Sequence, residues 1–131
     1  MLKNFGFWLL VSIFTANIVL GFTYDFYDFW YFDNILHFLG GFGVYLAAKQ
    51  YFSKAIKNAS WLDSALLLVG LSVFVGVLWE FVEFALANLW LVRPDEVELI
   101  GDLRDTIDDL TMDTLGAVIA SILHFFRQRK T

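Results

Sequence analysis

The chain has 131 residues, 59% of them hydrophobic, with a mean hydropathy of +0.64 and a net charge of −5. Cysteine is absent, which excludes disulfides, thiolate metal sites and cysteine nucleophiles. No basic stripe exists to neutralise phosphates, so nucleic acid is not an expected partner.

Four apolar segments follow one another. Residues 4–22, NFGFWLLVSIFTANIVLGF, contain no charge. Lys3 and the apolar run also fit a cleaved signal peptide, but the run is long for one and no A-x-A-like site follows. A retained span is the expectation. The connection TYDFYDFWYFD is dense in aromatics and ends at Asp33. It reads as an interfacial aromatic belt, with a binding wall for a lipid or polyprenyl substrate as the alternative.

The second segment covers 34–52 and carries His37 one helical turn after Asp33, on a face continued by Gly40 and Gly41. Ser60-Trp-Leu-Asp63 fits a capping box and starts a third helix. That segment, 61–92, is broken only by Asp63, Glu80 and Glu83. It exceeds one perpendicular crossing, so it must tilt, bend near Gly70 or Gly76, or protrude. The connection RPDEVELIGDLRD is polar, with helix-ending Pro94 and a turn at Gly101. The fourth segment, 105–126, opens with Asp105, Asp109 and Asp113 at i, i+4, i+8, a face that Gly116 and Ala120 carry onward. Asp108 lies toward the edge of that face. His124, beside Arg127, is expected to meet the helix C-terminus and lipid headgroups.

A span needs ~20 apolar residues to cross ~30 Å of hydrocarbon, and all four segments are near or above that. Lys3, Lys49, Lys54, Lys57, Arg127, Arg129 and Lys130 fall on one side; only Arg93 and Arg104 fall on the other. The positive-inside rule then puts both termini in the cytoplasm. The expected fold is all-α: a single polytopic four-helix bundle, N-in and C-in, integral to the cytoplasmic membrane.

Depth brings the ionisable groups together. His37 lies ~6 Å below the outer surface at 1.5 Å per residue. Glu80 rises ~22 Å from Ala65, with Glu83 one turn above. Asp109 and Asp113 lie ~6 and ~12 Å along the last helix. Three helices thus bring acids and one imidazole to one outer layer, beside small residues that permit close helix contact. Charges there cost ~3 kcal/mol each on insertion scales, and clustered carboxylates repel. Arg104 could offset one or two from the rim, and His37 another.

DNILHFLGG, VLWEFVEF and DTIDDLTMDTLGA, in that order, resemble the YjdF-like inner-membrane proteins. Those carry an Asp before a His-Phe-containing helix, a Trp-Glu-x-x-Glu helix and a final Asp-Thr…Asp…Gly-Ala helix. The set is more distantly similar to the VanZ-like family, named for a teicoplanin-resistance protein. Its last helix carries Asp-x-x-x-Asn before Gly-Ala; Asp109 and Asp113 stand there in this chain, before Gly116-Ala117. The likeness covers roughly residues 33–120 and implies an envelope protein of four or more spans, without supplying a mechanism.

The remaining charge deficit points to a divalent metal ion. Candidate ligands are His37, Glu80, Glu83, Asp109 and Asp113, with Asp33 and Asp105 as outer partners or general acid/base. A sulfur-free set with one His suits Zn²⁺, Mn²⁺, Fe²⁺ or, with fewer His contacts, Mg²⁺. The Glu-x-x-His repeats of di-iron bundles are missing. Hydrolysis or transfer on a lipid-linked envelope substrate is the enzymatic expectation. Two other readings stay open: acids serving as interhelical hydrogen-bonding glue, and a proton or cation carrier. Substrate, metal identity and oligomeric state are not legible.

Overall fold

The computed structural model describes residues 4–24, 26–29, 31–88 and 103–128. Among these there are four α-helices and no strand: α1 (Phe5–Ala16), α2 (Tyr31–Tyr51), α3 (Trp61–Asn88) and α4 (Leu103–Gln128). α1 runs directly into a π-helical turn at Asn17–Thr23, and a short 3₁₀ turn, Phe26–Asp28, precedes α2. Pro94, Gly101 and the connection around them lie outside the described residues, as do Lys3, Arg93, Arg129 and Lys130.

The capping pattern at α3 is present. Ser60 Oγ accepts from the Asp63 backbone N–H at 3.1 Å and donates to the Asp63 carboxylate at 2.7 Å. Satisfying an orphan first-turn donor in this way fixes where the helix begins. α3 then continues without a break through Gly70 and Gly76 to Asn88. Its 28 residues correspond to ~42 Å at 1.5 Å per residue, longer than ~30 Å of hydrocarbon. The bend expected near Gly70 or Gly76 is not there, since the helix is unbroken.

α3 and α4 are long and apolar enough to cross a membrane, their most apolar 18-residue windows having mean hydropathies of 2.3 and 1.3. Phe5–Gly21 is apolar but shorter. α2 falls short of that hydropathy because of its position. It packs against α1, α3 and α4, so it carries glycines and polar groups where the others carry Leu and Phe. By contrast α3 turns Leu66, Phe74, Phe81 and Phe84 outward, each more than half exposed. An outward apolar coat of that extent is unfavourable in water and suits lipid.

Close backbone approach makes the α2–α4 contact. A Cβ at Gly41 would collide with the Asp113 backbone, and one at Gly116 with the Phe38 carbonyl. The two glycines therefore lock the register of α2 against α4 reciprocally, as small residues do where dispersion drives helix association. A Cβ at Gly70 would meet nothing within 4 Å. Away from the acids, Tyr45, Ala48, Leu68, Ala117 and Ala120 form the apolar core.

Candidate metal centre

Asp33 stands in the first turn of α2 and His37 one turn later, so the helical repeat puts both on one face. The Gly41–Gly116 register brings Asp109 and Asp113 of α4 up to that face. His37 is 6% exposed, Asp109 1% and Asp113 5%. His37 Nδ1 hydrogen-bonds Asp113 Oδ2 at 3.3 Å. Its other nitrogen, Nε2, lies 3.8 Å from Asp33 Oδ1 and 3.8 Å from Asp109 Oδ2. Both separations are too long for a hydrogen bond.

α3 completes the group. One ligand atom each from His37, Glu80 and Glu83 lie within 4.8 Å of one another, and the same holds for Asp33, His37 and Asp109. His37 is common to both sets. Glu83 accepts a 2.8 Å hydrogen bond from Trp79 Nε1, which orients it. Thr106 of α4 is a hydrogen-bond partner of Glu80. Asp105 sits one turn above Asp109 and is half-buried, near enough to Asp33 and Glu80 to interact with them electrostatically.

Three buried carboxylate oxygens have no hydrogen-bond partner: Asp33 Oδ1, Glu80 Oε1 and Asp109 Oδ1. Leaving such an oxygen unmet is costly, more so for a charged group. Donors ~2.1 Å from a tetrahedral Zn²⁺ sit roughly 3.4 Å apart, so the 3.8 Å spacings around Nε2 need only a small contraction to close on a cation. The imidazole with one nitrogen tied to a carboxylate and the other facing donors has the form of a metal-binding His with its supporting acid.

Asp113 is held by two glycines. A Cβ at Gly76 of α3 would collide with its carboxylate, and one at Gly40 of α2 would lie 3.5 Å from Oδ1. The small residues beside the acids thus have a specific task.

Other expectations resolve differently. Arg104 is exposed and ion-pairs with exposed Asp108 at 4.0 Å. His124 does not meet headgroups: it is 8% exposed and shares a 3.0 Å hydrogen bond with the Tyr45 hydroxyl. The reason is register, since the tight α2–α4 contact carries Tyr45 past the inward face of α4. Thr111 and Thr114 back-bond within α4, as their type suggests. Asn17, Ser72 and Trp79 were not among the sequence candidates, yet all three line a cavity that also reaches His37 and Asp113. Apart from Asn4 at its very start, Asn17 is the one amide in the first apolar segment, a signal that was there to be read.

These features define a helical membrane protein with a buried histidine–carboxylate cluster. A family model described as "Predicted membrane protein (DUF2238)" matches residues 2–130. The chain belongs to that family, which is the one the YjdF-like proteins form. An uncharacterized protein of Thermotoga maritima is 36% identical over 112 residues, covering 82% of this chain and 55% of the relative. The chain therefore spans about half the length of that relative. No solved structure matches.

Proposed function

We propose that this is a four-span protein of the cytoplasmic membrane, both termini cytoplasmic, whose outward-facing acid cluster binds a divalent metal ion. The observation that supports the reading is that Asp33, Glu80 and Asp109 each keep a buried, unpartnered carboxylate oxygen while all three group with His37, whose Nε2 lies 3.8 Å from Asp33 Oδ1 and from Asp109 Oδ2. Interhelical glue calls for direct hydrogen bonds at those atoms, and they are missing. A cation supplies the missing partner.

His37, Asp33 and Asp109 form the first donor set, with Glu80 and Glu83 completing it from α3. Two roles differ from the sequence expectation. Asp113 holds the imidazole through Nδ1, and Asp33 faces the donors rather than standing behind them. Asp105, at the rim, is the candidate general acid or base. One imidazole among carboxylates suits Zn²⁺, Mn²⁺ or Fe²⁺, and Mg²⁺ if His37 contributes little. A bound metal would supply Lewis acidity and an activated water. The chain's own groups orient the donors and exclude solvent. Hydrolysis or transfer at a lipid-linked substrate, polyprenyl or otherwise, is the chemistry this outer-layer site suits, and a distant kinship with VanZ-like proteins belongs to the same reading.

Elemental analysis of detergent-purified, mildly dialysed protein tests it. About one metal or more per chain is expected; less than ~0.2 would sink it, since structural-grade affinities survive such handling. A proton carrier is the second reading, favoured by one observation. Ser72, Tyr45, Ser121 and His124 are buried polar groups toward the other end of the bundle, so the interior is not wholly apolar there. Proton flux in liposomes, abolished by His124→Phe, would favour that reading over the metal.

A further inference from the structure

A cavity of about 240 Å³ lies among α1, α2 and α3. Its walls are apolar for most of their extent, with Ile13 and Phe14 from α1, Val44 from α2 and Val75 from α3. One end is different. There the cavity meets His37 and Asp113, the hydrogen-bonded pair at the foot of the acid cluster. From His37 to Val44 along α2 is seven residues, so the cavity extends ~10 Å away from the cluster at 1.5 Å per residue.

The side of this cavity is weakly closed. α1 and α3 each pack along α2 but not along one another. They meet through Phe14 and Trp79, whose rings stand edge-to-face at 6.3 Å. Trp79 also donates to Glu83, so one ring both borders the cavity and orients a carboxylate of the cluster. If α1 and α3 span the bilayer, the opening between them faces acyl chains, not water. Along Ile13, Phe14, Val44 and Val75 water is a poor occupant, since it needs two to four polar partners and those side chains have none to give.

We infer that this cavity seats one hydrocarbon chain of a membrane lipid, acyl or isoprenyl, which enters sideways between α1 and α3. The chain lies along Ile13, Val44 and Val75, and its first polar linkage reaches the His37–Asp113 end. Buried Asn17, presented by the π-helical turn, and Ser72, whose hydroxyl donates to the Leu68 carbonyl, line the cavity as well. π-Turns inside helices are recurrent features of functional sites. The inference rests on the proposed function for the membrane placement of α1 and α3 and for the cluster as the reacting end. The binding of the chain itself does not depend on a metal.

The test uses the full chain in lipid nanodiscs that contain a phospholipid with a diazirine in its acyl chain. Photolabelled peptides are mapped by mass spectrometry, and metal content is measured on the same samples. Labelling concentrated on residues 10–17 and 72–79 is expected. Val44→Phe, which fills the cavity, should lower it about tenfold, the loss of a couple of buried methylenes' worth of contact. Ile13→Phe provides the same test if Val44→Phe fails to fold. Labelling spread evenly over the outward residues of α3, such as Leu67, Phe74 and Phe81, and indifferent to both fillers, overturns the inference. Concentrated labelling without metal keeps this inference and removes the metal reading. Diffuse labelling with metal intact does the reverse.

Discussion

The molecule buries two histidines, and they are opposite cases. His37 and His124 are 6% and 8% exposed. His124 shares a hydrogen bond with a neutral phenol, Tyr45. His37 has one nitrogen bound to Asp113 while the other faces carboxylates at 3.8 Å, too far to bond and too near to ignore. Burial alone therefore identifies nothing. What distinguishes the surroundings of His37 is a set of acids with unmet acceptors, Asp33, Glu80 and Asp109, and the proposed metal site rests on that difference.

That contrast can be broken or sharpened by substitution. His37→Ala removes the group shared by both donor sets and should abolish stoichiometric metal, measured by elemental analysis. If metal content is unchanged, the contrast between the two histidines collapses. Asp113→Asn keeps the shape wedged between Gly40 and Gly76 but weakens support of the imidazole. A loss of metal affinity of roughly 10–100-fold is expected, the usual cost of an outer-shell partner, read by competition with a chelator. Gly116→Ala forces a Cβ into the Phe38 carbonyl and should cost about 1–3 kcal/mol, as overpacking does. Detergent unfolding curves check this, with Gly70→Ala as the tolerated control. Tyr45→Phe removes the hydroxyl's bond to His124 and should cost about 1 kcal/mol, while metal content stays unchanged. A parallel loss of metal would mean that the two ends are coupled. Smallest of all, removing the exposed pair with Arg104→Ala and Asp108→Ala should shift stability by less than ~0.5 kcal/mol, with metal unaltered.

Much of the acid end was legible because it depends on short-range spacing. Asp33 and His37, Glu80 and Glu83, and the Asp105–Asp109–Asp113 series share faces by helical repeat alone. Which nitrogen of His37 meets which acid was not legible. That depends on the register of α2 against α4, set by Gly41 and Gly116 from parts of the sequence 75 positions apart. The same register buries His124, which one-helix reasoning sends to the surface beside Arg127. The partnership of Trp79 with Glu83 was available from i, i+4 spacing and went unread because Trp usually signals a lipid interface. The π-helical turn at Asn17 leaves no mark in an apolar run.

The fixed position of Asp113 has a mechanical consequence. Its carboxylate occupies the space a Cβ at Gly76 of α3 would need and lies beside Gly40 of α2, while binding a ring on α2. Sliding or rotating α3 against α2 cannot leave the Nδ1 bond of His37 untouched, because the gap that holds the acid changes shape. A chain settling in the cavity beside buried Gly76 would thus be felt at the imidazole through Asp113 as well. Asp113 acts as a pin through three helices, and the chemistry of His37 is set by how they stand.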